Sequence, residues 1–257
     1  MRLQLQPITT RNISKIDRRG TRYYDVEGLG EMPSVTTILN VIAKPALIGW
    51  ARNVALEKVR LTLMESTPPS TEEEIDRLID VAKRRPDEVR DTAANFGTQA
   101  HIAIDNYLAG LPYVETPELQ VVMANFKAWQ NESGFEIQMA EQVVYSEEHR
   151  YAGTFDAVGS RGNDLAIFDW KTSNRAYPEM TLQASAYAKS FSELYGIPIS
   201  EAWIIRISKD LPTANSAPFE ALRVADIDKS FDLFLAALSL WRGMKQQQWA
   251  LSLPRSK

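Results

Sequence analysis

At ~150 residues per domain, 257 residues make one large domain or two small ones, and a composition of 44% hydrophobic and 24% charged residues excludes a disordered or fibrous chain. A formal net charge of −4 excludes the uniform basic field that holds nucleic acid nonspecifically. With no cysteine and only His101 and His149, disulfides, thiolate zinc sites, iron–sulfur clusters, cysteine nucleophiles and the HExxH zinc motif are excluded too.

In chain order, the opening residues carry neither the apolar run nor the small-residue cleavage site of a secretory signal. No stretch approaches the ~20 apolar residues of a membrane helix, so a soluble, cytoplasmic protein is expected. Residues 1–60 hold ten Lys or Arg against five Asp or Glu, so any nucleic-acid contact is expected to be local to this basic part. Residues 20–34 predict a β-hairpin around Gly28 and Gly30, and Ser34 is placed to cap a helix over VTTILNVIA. After Pro45 a second helix is predicted from about Leu47 to Met64, then a loop at 66–71. Thr71 and Glu74 form a capping box for a helix ending at Arg85, and Pro86 starts another that runs to about Ala109. Residues 117–133 predict an amphipathic helix that Gly134 ends.

From residue 135 the period becomes two, and FEIQMAEQVVYS, RYAGTFDAVGS and DLAIFDWKTS predict an antiparallel meander turning at 161–164. A helix follows over 179–195, then strands at 201–208 and 219–224, then a helix capped by Asp226 and reaching about Trp249, with a frayed LSLPRSK tail. The expected division is a hairpin and helical, basic part at 1–86 and a core at 87–257.

The chemistry concentrates in Gly153-Thr154-Phe155-Asp156 and, thirteen residues after Asp156, Asp169-Trp170-Lys171-Thr172. Asp169 and Lys171 are two apart and share one strand face, and a tight turn near Gly162 lets Asp156 face Asp169 across the pair. Two adjacent carboxylates repel unless a cation lies between them, and such hard oxygen ligands suit Mg²⁺ or Mn²⁺. A lysine beside such an ion suits phosphodiester hydrolysis. An Asp–Lys ion pair on an edge strand explains the same residues without chemistry.

Gly-x-x-Asp followed by Asp-x-Lys resembles the PD-(D/E)XK nuclease superfamily, and most closely its RecB-type exonuclease domains and the mitochondrial genome maintenance exonuclease group. Gly97-Thr98-Gln99-Ala100-His101 resembles the Gly-Thr-x-x-His helix of those nucleases, Gln183 to Tyr187 their Gln-x-x-x-Tyr helix, and Pro33-Ser34-Val35-Thr36 the opening of mitochondrial and phage-type members. The resemblance covers roughly residues 22–207. It implies an α/β fold with a restriction-endonuclease-like core, in which a mixed sheet of about four or five strands is flanked by helices behind a helical N-terminal part.

The resemblance further implies a stand-alone Mg²⁺- or Mn²⁺-dependent DNA exonuclease without an iron–sulfur cluster, acting on single strands or DNA ends in recombination, repair or genome maintenance. An idle binding module of the same fold and a sequence-specific endonuclease are the alternatives. Carried over, Asp156, Asp169 and the Trp170 carbonyl become metal ligands, Lys171 the catalytic lysine and His101 a metal-proximal residue. Gln183, Tyr187, Gly97, Thr98 and Thr172 then line the site. Glu141 on the first strand is a further ligand or an exposed carboxylate, and His101 outside this motif would read as a core histidine. Arg22, Lys44 and Arg52 are placed to track phosphates, with Trp50 as a stacking platform.

Overall fold

A computed structural model describes residues 5–65 and 67–247; Ser66, Trp249 and the LSLPRSK tail lie outside the described residues. The chain forms two compact units, one running up to Ile42 and resuming at Ala100, the other Ala43–Gln99. Among the described residues no helix is long and apolar enough to cross a membrane.

The first unit opens on a three-stranded antiparallel sheet, β1 (Ile13–Arg18), β2 (Thr21–Val26) and β3 (Gly30–Pro33). The sequence predicted only the last two. Strand β1 escapes notice because ISKIDR alternates weakly, yet Arg19 and Gly20 both take positive φ, the two-residue turn that matches strand twist. Ser34 then caps α1 (Val35–Leu39), its Oγ accepting the Thr37 N–H at 3.0 Å. This helix is shorter than predicted and closes at Asn40.

The second unit contains α2 (Pro45–Glu65), which has no buried residue, and most of α3 (Glu72–Leu108). Thr71 and Glu74 exchange the expected capping hydrogen bonds at 3.2 and 3.3 Å. The break predicted at Pro86 is absent: α3 runs through it as one helix, so residues 86 and 87 lie within α3. Leu78, Ala82, Pro86 and Val89 keep helical spacing on one partly buried face, and ion pairs three residues apart flank the proline on the exposed side. Continuity of that stripe outweighs the hydrogen bond the proline removes.

Beyond Ala100 the chain returns to the first unit with α4 (Pro117–Ser133), ended by Gly134 at φ 69° as expected. The strands β4 (Glu136–Ser146), β5 (Tyr151–Arg161), β6 (Asp164–Lys171), β7 (Glu201–Ile207) and β8 (Phe219–Arg223) form one sheet in that order. Helix α5 (Pro178–Tyr195) makes the crossover that sets β7 parallel to β6; all other pairs are antiparallel. Helix α6 (Ile227–Gln247) follows, its entry capped by Asp226 Oδ1 accepting the Lys229 N–H. This is the expected mixed α/β architecture, a five-stranded mixed sheet flanked by helices.

Strand β6 is buried along nearly its whole length because both sheet faces are covered. On one face Ile167 and Ile204 pack with Phe191 of α5 and Phe234 of α6 in the main core. On the other, Trp129 of α4 meets Phe168 and Trp170 edge-on, with ring centroids 5.2 and 4.9 Å apart. Two such layers hold the C-terminal end of β6, and that end carries Asp169 and Lys171.

Candidate active site

From the Gly162–Asn163 turn, β5 and β6 pair as far as Ala157 opposite Phe168. The next step in that register sets Asp156 opposite Asp169, and there the ladder stops: Asp156 Oδ2 instead accepts the Trp170 N–H at 2.6 Å. A carboxylate has taken the place of a strand carbonyl where the two strands cease to pair. Both aspartates are buried, 8% and 2% exposed, so their charges require partners.

Lys171 supplies one partner, with Nζ 2.6 Å from Asp169 Oδ2. The approach lacks a hydrogen-bond angle, so Oδ2 has a charge beside it but no donor aligned on it. His101 of α3 supplies the other, with Nδ1 3.2 Å from Asp156 Oδ1. Burial pulls the imidazole down, but the Asp156 charge and hydrogen bond outweigh it and push His101 up to about 9. Burial also raises Asp156, yet His101, Lys171 and the Trp170 N–H together hold it below the usual carboxylate range. For Asp169, burial and the Asp156 charge overcome Lys171 and raise it to about 6. Burial lowers Lys171, but the two carboxylates more than restore it and keep it charged. At neutral pH two carboxylates face an ammonium and an imidazolium, and the buried group sums to zero.

That balance predicts a pH dependence of stability. A histidine raised from 6.5 to about 9 contributes stability that is complete below 6.5 and is lost as pH rises through 9. In a chelating buffer, the unfolding free energy is expected to fall across that window in the wild type and not in His101→Gln. Denaturant titrations with parallel profiles for the two proteins would contradict the pairing.

Two carboxylates and the Trp170 carbonyl are donors of the kind that suit Mg²⁺ or Mn²⁺, and the imidazole is the softer ligand of the set. The unaligned, buried Asp169 Oδ2 fits a cation as well. Among the described residues no three His, Asp or Glu side chains stand grouped as a ready-made shell. His101 and the Trp170 N–H occupy the Asp156 oxygens, so an ion held there would compete with both, and His101 would have to lose its proton to ligate. The donor set fits in kind, and its assembly around an ion would be coupled to loss of that proton.

Helix α5 closes the site from the core side. Gln183 Nε2 donates to Tyr187 Oη at 3.2 Å, one turn apart. Burial first, and then the charge of Asp169, pushes the Tyr187 hydroxyl well above its ordinary range, so the ring stands beside the carboxylates. Its ring edge abuts Gly153, where an added Cβ would come within 2.4 Å of Tyr187 Cε1. Tyr24 of β2 and Thr154 share a hydroxyl hydrogen bond of 2.8 Å next door. Thr172 follows immediately after β6.

Glu141, at φ 48° on β4, is half exposed with its carboxylate 3.3 Å from Lys15. Arg22 is exposed on β2, and its carbonyl accepts from Thr37. Gly97, Thr98, Lys44, Trp50 and Arg52 belong to the second unit; Trp50 and Arg52 are exposed on α2, and Thr98 Oγ1 bonds the Ala94 carbonyl within α3. Sequence reasoning missed Asp105, which follows His101 by one helical turn. Burial, Glu141 and Asp156 raise Asp105 to about 7, and its Oδ1 is buried without a hydrogen-bond partner. The four-residue step in HIAID was the available signal.

No family model matches the sequence, and no curated protein matches it. Among solved structures the chain is similar to an alkaline exonuclease (LHK-Exo) from Laribacter hongkongensis, at 12% identity over 86% of this chain and 95% of that one, with a TM-score of 0.36. It is also similar to the protein SSO0001, at 12% identity over 80% and 88% and a TM-score of 0.32. A structure of LHK-Exo in complex with dAMP aligns at 15% identity over 60% and 93%, with a TM-score of 0.29. Overlap this loose assigns neither a substrate nor a residue.

Proposed function

We propose that the chain is a divalent-metal-dependent DNA exonuclease of the PD-(D/E)XK type, RecB-like, acting on single strands or DNA ends in recombination, repair or genome maintenance. The observation that carries this reading is the meeting of Asp156, Asp169, Lys171 and His101 in one buried cluster where β5 and β6 part. Four residues singled out from three separate sequence motifs converge there, and a surface Asp–Lys pair would require neither burial nor the histidine.

Hydrolysis adds water across a P–O bond: a water oxygen bonds to phosphorus, one ester oxygen leaves, and the leaving alkoxide takes a proton. Asp156 and Asp169 would hold Mg²⁺ or Mn²⁺ with the Trp170 carbonyl and a neutral His101, and the ion would supply Lewis-acid stabilisation and acidify the attacking water. Lys171, kept charged by its two aspartates, acts as a donor that orients the water or a non-bridging phosphate oxygen, and it stabilises the charge that accumulates there. A lysine kept protonated in this way has no lone pair with which to act as a base. Tyr187 and Gln183 wall the site against the core and fix its shape.

Linear and covalently closed single-stranded DNA, with either end blocked in turn, separate the possibilities in one assay. Linear strands are expected to shorten from an unblocked end only when Mg²⁺ or Mn²⁺ is present, with circles spared. Cutting of the circle would overturn the exonuclease assignment, and metal-independent or absent cleavage would overturn the nuclease itself.

A further inference from the structure

At the C-terminal end of β6 the sheet carries a second cation. The parallel register sets Lys171 of β6 opposite Arg206 of β7, and the antiparallel register beyond it sets Arg206 opposite Glu220 of β8. Residues paired in this way share one face of a sheet, with neighbouring strands roughly 4.8 Å apart. Arg206 therefore stands beside Lys171 on the face that also holds Asp169.

The guanidinium is held in place. Its side chain is 28% exposed, and Nε donates to Glu220 Oε2 at 2.8 Å. That one-armed contact orients the group and leaves its terminal N–H donors for another acceptor. Arg223 makes a similar cross-strand pair with Glu201 at 3.4 Å, but at the opposite end of β7, away from Lys171 along the strand.

The two flanks of the aspartate cluster differ in charge. On the β7 flank Lys171 and Arg206 adjoin at the carboxyl ends of two parallel strands, the place where α/β sheets collect ligands. On the β4 flank Asp105, Glu136 and Glu141 line a groove at the C-terminal ends of α3 and α4, and among the described residues no Lys, Arg or His lines it. Lys15 answers Glu141 there, while the last carbonyls of the two helices add partial negative charge. A polyanion crossing the cluster is attracted on the first flank and repelled on the second.

We infer that Arg206 binds the phosphate next to the scissile one, so that the DNA backbone crosses the C-terminal ends of β6 and β7 and not the β4 edge. The inference rests on the nuclease reading, and it adds a phosphate contact outside the basic segment at 1–60. Arg206 acts here as a binding residue, holding the chain while the bond breaks beside it.

Binding of a fluorescein-labelled single strand to chelator-treated protein, followed by anisotropy from about 50 to 200 mM salt, tests this. Arg206→Gln is expected to weaken binding about tenfold, the loss of one charged hydrogen-bonded contact. It should also reduce the slope of log K against log salt by about 0.7, one phosphate's worth on a single strand. Arg206→Lys is expected to keep the slope. Glu220→Gln, which leaves the arginine in place and removes a competing carboxylate, is expected to bind about twofold to threefold tighter. Arg223→Gln is expected to change neither quantity. A wild-type slope in Arg206→Gln, or weaker or unchanged binding in Glu220→Gln, would overturn the contact; an ion pair that only joins β8 to β7 would make both variants lose alike. In cleavage with Mg²⁺ or Mn²⁺ the Arg206→Gln defect is expected in KM, with kcat within about threefold of wild type, and a defect confined to kcat would also overturn it. Absence of cleavage by the wild type would overturn the nuclease reading instead, and the anisotropy series would still decide the phosphate contact.

Discussion

Lys171→Met is expected to lower the turnover of metal-dependent DNA hydrolysis about a thousandfold, the loss typical of removing one preorganised donor from a charge-developing site. Methionine matches the aliphatic stem of lysine, so packing at the end of β6 survives while the ammonium 2.6 Å from Asp169 disappears. Asp169, already raised to about 6 by burial and Asp156, then loses its main stabilising charge and rises further. The buried carboxylate takes a proton, which limits the damage to stability. Affinity for DNA is expected to change little, so the effect falls on kcat. Lys171→Arg is not expected to rescue, because the planar guanidinium cannot occupy the position of a compact ammonium 2.6 Å from Asp169. Steady-state kinetics on end-labelled single strands check both variants, and a methionine variant within about tenfold of wild type would remove Lys171 from the chemistry.

Gly153→Ala is expected to destabilise the protein by about 2 kcal/mol or more, the usual cost of forcing a methyl group into a packed interior. The new Cβ would sit 2.4 Å from Tyr187 Cε1, and the ring has no free side to move to because Tyr187 is buried. Shortening the tyrosine should relieve the clash: Gly153→Ala is expected to cost far less in a Tyr187→Leu background, a coupling that a double-mutant cycle measures directly. Tyr187→Phe should not relieve it, since the offending atom belongs to the ring. Denaturant unfolding of the four proteins checks this, and equal costs of Gly153→Ala in both backgrounds would dissociate glycine from tyrosine.

Much of this site could be read in the sequence because it follows from strand periodicity. DLAIFDWK is apolar until Asp169 and Lys171, the period of two puts those residues on one face, and the Gly162 turn sets Asp156 in register with Asp169. Gly134 and the Thr71–Glu74 box likewise act through local chemistry and sit where local rules put them. What was not legible depends on tertiary packing. Strand β1 needs β2 as a partner to become visible, and Pro86 is tolerated only because the stripe on either side stays in phase. The smallness of Gly153 acquires meaning only when α5 lies across β5, and the charge on His101 follows from the Asp156 carboxylate that the fold sets beside it. Asp105 was hidden for the same reason: its significance lies in the neighbours that α3 and β4 bring to it.

The central claim is that Asp156 and Asp169 share a divalent ion whose entry takes the proton from His101. Calorimetric titration of the chelator-stripped protein with Mn²⁺ near pH 8, repeated in buffers of different ionisation enthalpy, measures binding and proton release together. Saturable binding with a proton released by the wild type, and neither in Asp156→Asn/Asp169→Asn, is the expected result. Undiminished Mn²⁺ binding by the double variant, or none by the wild type, would contradict it.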